Sequence, residues 1–367
     1  MLFDAVVIGA GPAGATCARL LAQAGWRIAL VEKADFPRRK VCGEFLSATT
    51  LPVLRACGIA EAYLSSAGPV VTRVGIFAGK DAIVSPMQQA WGRALGRDRL
   101  DVLLRDAAVD AGAELFQPAE IIGHHSGGAV HRCRLEDGRE IASGTVIAAC
   151  GSWNPREPFA VKHKPRASDM FAFKALFRDA RLPPGLMPLL AFPGGYGGMV
   201  ESNDGLTSLS CCIRRDVLAQ ARARHGGKAG QAVLAHIRAT TRHVDAALSH
   251  AVLDGSVMSV GPIHPGVRPR SSAGVYAVGN LAGEAHPVIA EGISMAIQGA
   301  QLLAQCLMAG RPQDYPTLWQ RRFAPRIRAA SLFAHLAMSG VTRDLSRRVI
   351  TLFPKILDWG ARASGKA

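Results

Sequence analysis

The first 32 residues constrain this chain more than any other segment. Asp4 to Ile8 is a short apolar run with β-branched residues, and it leads straight into Gly9-Ala10-Gly11-Pro12-Ala13-Gly14. Ala15 to Ala24 is Ala/Leu-rich, and a second apolar run from Arg27 to Val31 ends in Glu32. Strand, glycine turn, helix, strand and terminal acid in that order make a dinucleotide-binding unit. Gly9 allows the tight turn out of the strand. Gly11 has no Cβ, so backbone can approach a pyrophosphate. Gly14 lets the helix pack on the sheet. The helix start, with Pro12 and Ala13 in its first turn, offers free N–H groups and a partial positive charge to phosphates. Glu32, 18 residues after Gly14, stands beside Lys33 and is placed to accept hydrogen bonds from an adenosine ribose. A glycine turn alone would be an ordinary turn; the flanking elements make it specific.

The length of 367 residues suits two domains, or one large domain with an inserted lobe. The chain opens directly into the first strand, so no signal peptide is expected. The uncharged stretch from Leu182 to Val200 holds four prolines and five glycines, which exclude a spanning helix. Eight scattered cysteines without a CxxC argue against a zinc site and a disulfide framework, and fit a reducing cytoplasm. A cytoplasmic protein, at most peripheral to a membrane, is expected. The net charge is +15, and residues 317–367 carry ten Lys/Arg against two Asp/Glu. Nucleic-acid motifs are absent. An anionic membrane surface or an acidic carrier protein is the expected partner of this basic tail, against a plain solvated face. Arg343, Arg347 and Arg348 fall on one side of a helix there, and Leu345, Val349, Leu352 and Ile356 on another. Arg321, Arg322, Arg326 and Arg328 precede it with Phe323 and Ile327 interleaved.

Along the chain, Val70 to Met87 reads as short strands broken by Gly75 and Gly79, and Leu100 to Ala111 as a helix ended by Gly112. Strands are expected at Ala129–Leu135 and Thr145–Ala149, with Asp137-Gly138 turning the first into Glu140–Ile141. Phe171–Phe177, Gly198–Val200 and Leu206–Ile213 suggest a second sheet. Ala229 to Leu248 reads as helix, Val275 to Val278 as strand, and Ile293 to Met308 as a long helix. The expected class is α/β: a Rossmann-like dinucleotide-binding domain of residues 1–70, 92–155 and 270–310, a β-sheet substrate lobe of 71–91 and 156–269, and a C-terminal helical segment of 311–367.

Several ordered motifs resemble the FAD-dependent oxidoreductases of the geranylgeranyl reductase type, within the para-hydroxybenzoate-hydroxylase-like flavoproteins. Besides the glycine turn, Lys40-Val41-Cys42-Gly43-Glu44 is similar to the family's Lys-x-Cys-Gly segment, and Arg97-Asp98-Arg99-Leu100-Asp101 to its Arg-x-x-Leu-Asp helix entry. Pro193-Gly194-Gly195-Tyr196-Gly197 resembles the turn facing the substrate cavity. Val278-Gly279-Asn280-Leu281-Ala282-Gly283, followed by Glu291-Gly292-Ile293, resembles the Gly-Asp-Ala-Ala-Gly … Glu-Gly-Ile segment.

The resemblance implies bound FAD. Gly292 and Ile293, at a helix start, would stabilise negative charge at the pyrimidine end of the reduced flavin. Asn280, after Gly279, would meet the ribityl chain; Arg97 the ribityl or phosphate region; Ile121 the adenine; Cys42 and Gly43 the ring. Cys42 reads either as a catalytic acid or as a small flavin neighbour, and Tyr196 as a pocket former or proton donor. His286 reads as a loop residue and Glu291 as a helix start. Cys150 and Asn280 stand where relatives carry Asp. Cys150 thus weakens the route for NAD(P)H, leaving a transiently bound NAD(P)H or another donor as reductant.

The implied activity is flavin hydride transfer to or from a carbon–carbon bond of a hydrophobic substrate: an isoprenoid, a polyene, or a carrier-bound acyl or polyketide chain. Alternatives are a monooxygenase acting on an aromatic or polyketide substrate and a non-catalytic flavin-binding protein. Halogenation is disfavoured, since no Trp-x-Trp-x-Ile-Pro motif is present.

Overall fold

The computed structural model describes residues 2–87, 92–152, 164–268, 271–272 and 274–338. One sheet runs in the order Ser271–Ser272, Val275–Ala277, Glu140–Ala148, Leu2–Ile8, Ile28–Val31, Glu114–Phe116, parallel from Val275–Ala277 onward. Buried parallel strands need apolar residues on both faces, and Leu2–Ile8 provides them. Ala5 and Val7 join the core beneath the helices Pro12–Gln23 and Gly292–Met308. Phe3 and Val6 pack on the opposite face with Cys133, Leu135 and Ile141. The hairpin Ile121–Gly127/Val130–Leu135 thereby covers that face.

The second sheet runs Val252–Leu253, Met170–Arg178, Thr207–Arg214, Gly195–Glu201, Leu186–Phe192, Arg73–Ala78, Asp81–Pro86. It is antiparallel except between Leu186–Phe192 and Arg73–Ala78. Adjacent side chains on a strand point to opposite faces, and Cys211-Cys212 shows the result. Cys211 packs in a core with Val233, Ile237 and Val244 of the helices behind the sheet. Cys212 packs with the nucleotide-binding half.

The helix Tyr315–Met338 touches both halves. Its buried residues, Tyr315, Trp319, Phe323, Ala324, Ile327, Ala330 and Ala334, fall mostly three or four apart. Tyr315 Oη donates to the Ala277 carbonyl at 2.9 Å. Further along, the helix lies against Leu186–Phe192, Gly195–Glu201 and the turn Pro287–Ile289. Arg321, Arg322 and Arg328 are exposed and Arg326 is half-buried. The basic cluster at Arg343, Arg347 and Arg348 lies outside the described residues. No helix among the described residues is long and apolar enough to cross a membrane.

Several boundaries differ from the sequence reading. Gly75 sits inside the strand Arg73–Ala78, and only Gly79, at φ +58°, makes a turn. Glu140–Ile141 and Thr145–Ala149 merge into one strand, because the hairpin pairs with its first residues and Leu2–Ile8 with the rest. The helix expected over Ala229–Leu248 breaks at Thr241, whose backbone is extended (φ −138°, ψ 93°) and bridges to Gly79. Leu186–Phe192 is a strand that the proline- and glycine-rich stretch concealed.

Candidate functional site

A continuous cavity of about 440 Å³ runs between the two halves. At one end Val31, Glu32, Lys33, Ile121 and His124 line it; the glycine turn and Arg97 follow. Beyond them come Cys42, Gly43, Asn280, Gly292 and Ile293, and then the second sheet.

The glycines divide by role. Gly9 has φ +104°, a left-handed conformation that favours glycine. A Cβ on Gly14 would overlap the Gly9 carbonyl oxygen. Gly14 does not line the cavity; it fixes how closely the helix rests on the strand. A Cβ on Gly11 would meet nothing nearer than an Arg97 guanidinium nitrogen at 3.6 Å, so that position faces open space. No side chain caps the helix behind it, which leaves first-turn N–H groups for a ligand. Gly279 has φ +62°, and a Cβ there would press on Ala13.

Glu32 is buried and accepts from Ala10 N–H and Ala34 N–H, each at 3.0 Å. Arg38 adds a two-pronged pair at 2.9 and 3.1 Å. Four acceptor sites of a carboxylate are thus used, and a ribose hydroxyl must compete with Arg38 for Glu32. Sequence reasoning gave Arg38 no role. Asp101, fully buried, holds Arg97 in a second bidentate pair at 2.6 and 2.7 Å. Burial pulls the Arg97 pKa down, but the Asp101 charge outweighs it, and Arg97 stays above its ordinary value. Lys40, beside them, is lowered by burial and by Arg38 and Arg97. Three basic side chains therefore gather beside the glycine turn.

At the far end, Gly43 and Gly292 both face space free of other atoms within 4 Å, which permits close approach by a flat ring. Glu291 precedes the helix Gly292–Met308, whose N-terminus also has no side-chain cap. Ser47 Oγ donates to the buried Glu291 at 3.2 Å, in keeping with a helix-start role. Cys42 is half-buried; its sulfur accepts from Glu44 N–H at 3.4 Å, and its carbonyl accepts from Ser210 Oγ at 3.0 Å. Glu44, at φ +62°, forms a wholly buried ion pair with Lys174. The signal for Lys174 was a lone cation inside the apolar run Met170–Phe177.

Tyr196 lines the cavity, and its Oη lies 2.7 Å from His286 Nδ1. Burial holds Tyr196 well above the usual tyrosine range and lowers His286 to about 4. Cys150 is also on the wall, at an exposed position. No group of three or more potential metal ligands occurs among the described residues.

The family model described as FAD binding domain matches residues 3–310, and the chain belongs to this family of para-hydroxybenzoate-hydroxylase-like flavoproteins. It is similar to the menaquinone reductase of Mycolicibacterium smegmatis, 27% identical over 88% of this chain and 81% of that protein. A shorter stretch is 49% identical to a 1H-pyrrole-2-carbonyl peptidyl-carrier-protein chlorinase of Pseudomonas fluorescens, over 16% of this chain and 13% of the relative. Among solved structures, the myxobacterial chondrochloren halogenase has the same fold, with a TM-score of 0.78 and 21% identity over 98% of this chain and 90% of that one. The protein is an FAD-dependent enzyme. The open space at Gly11, Gly43 and Gly292 and the two uncapped helix starts fit that cofactor.

Proposed function

We propose that this enzyme reduces a carbon–carbon double bond in a long apolar substrate, as the geranylgeranyl reductase resemblance implies. The observation that carries the reading is the composition of the wall beyond Cys42 and Gly43. There the second sheet turns the apolar side chains of Ala172, Met187, Leu189 and Val200 to the cavity, while Phe173 and Met199 pack behind it. Burying a methylene in such surroundings is worth about 0.8 kcal/mol, so a polyprenyl or polyene chain gains affinity along its length. The resemblance to a menaquinone reductase makes a polyprenyl quinone the first substrate to try. A carrier-bound chain is the other candidate, because a relative acts on a carrier-protein-bound pyrrole. The exposed Arg321, Arg322 and Arg328 would meet an acidic carrier or an anionic lipid surface.

Reduced FAD supplies a hydride when bound. Around it, Gly9, Gly11, Pro12 and Ala13 bind the pyrophosphate with Arg97. Glu32, Lys33 and Ile121 hold the adenosine, and Gly279 and Asn280 the ribityl chain. Cys42, Gly43, Gly292 and Ile293 border the ring, where helix N–H groups stabilise negative charge. Tyr196 shapes the wall on which the substrate rests.

The test is anaerobic turnover of the FAD-loaded protein with menaquinone and a chemical reductant, followed by mass analysis of the product. A product that stays two hydrogens heavier after any quinol has been reoxidised in air is expected, because the quinone ring then returns to its starting mass and a saturated carbon–carbon bond does not. A product that forms only in air and gains oxygen identifies a monooxygenase instead, and no product with any apolar chain rejects the reading.

A further inference from the structure

The family match ends at residue 310, yet one wall residue of the cavity comes from beyond it. Trp319, in the helix Tyr315–Met338, is 2% exposed and lines the cavity together with Gly283, Ala285 and Met295. Its indole lies in a seat made by missing side chains. A Cβ on Gly283 would overlap the six-membered ring, and a Cβ on Gly299 would come within 3.0 Å of Nε1. Phe323, one helical turn on, braces the indole at a centroid distance of 5.2 Å. Tyr315, one turn back, pins the helix to the nucleotide-binding sheet through the Ala277 carbonyl. The wall is therefore bulky, aromatic and held at both sides.

We propose that Trp319 sets the length of apolar chain that the cavity accepts. A bulky side chain packed against two glycines has a particular consequence when it is shortened. Neighbouring side chains normally collapse partway into the space left by a truncation. Here two of the neighbours are Gly283 and Gly299, which have no side chain to move. The space released by a smaller residue stays joined to the cavity and extends it. The inference rests on the reading of this cavity as the home of an apolar substrate, and it assigns the size limit to a helix beyond the residues that the family model matches.

The test needs no turnover. FAD-loaded wild type, Trp319→Leu and the milder Trp319→Phe are titrated with straight-chain alcohols of increasing length, and binding is read from the perturbed flavin absorbance. Each methylene that fits should tighten binding roughly fourfold, up to a length at which the gain stops. Trp319→Leu should move that limit to longer chains and bind the first alcohols beyond it about tenfold or more tightly than wild type. Trp319→Phe should move it less. An unchanged limit in both variants overturns the proposal, as does a wild type without a limit. Loss of FAD from both variants also overturns it, since Trp319 would then be a structural brace. If the limit moves while no quinone or carrier-bound chain is reduced, the size inference stands and the proposed reaction falls.

Discussion

The two halves of the cavity are built on different principles. The nucleotide end is specified by what the backbone must do. Gly9 needs its left-handed φ, Gly14 must leave room for the Gly9 carbonyl, and Gly11 must leave room for a ligand. The substrate end is specified by volumes: an apolar sheet face, a buried Lys174–Glu44 pair, and an indole seated on two glycines. Requirements on the backbone admit almost one residue type. Requirements on volume admit many combinations. The first kind persists as a motif, and the second does not.

The sharpest way to break this contrast is to add carbon to two glycines of the same turn. Gly14→Ala should cost about 3 kcal/mol or more through overpacking and give unstable, FAD-poor protein. Gly11→Val should keep the fold and lose FAD by filling the ligand's space. Thermal unfolding and circular dichroism of the apoproteins, with flavin absorbance, separate the outcomes. Equal destabilisation by both would dissolve the distinction between packing glycine and ligand glycine.

The unequal legibility of the sequence follows from the same physics. The turn, both flanking strands and the helix from Gly292 could be read because glycine placement and apolar runs are local signals. The saturation of Glu32 by Arg38 could not, because it depends on a loop folding back over six residues. Lys174 gave a hint, a charge in an apolar strand, but its partner Glu44 lies 130 residues away. The strand Leu186–Phe192 was hidden because prolines and glycines there suggest loops, while pairing with Arg73–Ala78 and Gly195–Glu201 overrides that preference. Trp319 gave no local signal, since its role is set by glycines at positions 283 and 299.

The next largest effect should come from the buried pair at the substrate end. Lys174→Met leaves Glu44 charged and buried, which costs about 3–5 kcal/mol. Adding Glu44→Leu should recover most of that loss in chemical denaturation. If the single variant is as stable as wild type, the pair is not the sealed unit described.

A pH effect of up to about 3 kcal/mol is expected from His286. Its folded pKa of about 4 lies below the ordinary value of 6.5, because burial disfavours the charged ring. Between those values the unfolded chain binds a proton that the folded chain does not. Stability is thus fully present above pH 6.5 and is lost as pH falls towards 4. His286→Gln, which keeps a partner for Tyr196, should flatten the stability profile across that window. An unchanged profile would mean that other groups set the acid limit.

The smallest effect belongs to the bridge between the halves, where Asp254 pairs with Arg39 at 2.7 Å and Arg178 at 2.9 Å near the surface. Exposed pairs add little and are screened by salt. Asp254→Asn should leave thermal stability and FAD retention almost unchanged. A large loss would show that the two halves depend on this latch rather than on their shared core.

The central claim is that one cavity joins a bound flavin to an apolar substrate. Stopped-flow mixing of the anaerobically photoreduced holoprotein with a polyprenyl or polyene chain tests it most directly. The oxidised flavin spectrum should return without oxygen, at a rate that saturates with substrate. Flavin that stays reduced with every such chain and reoxidises only in air would contradict it.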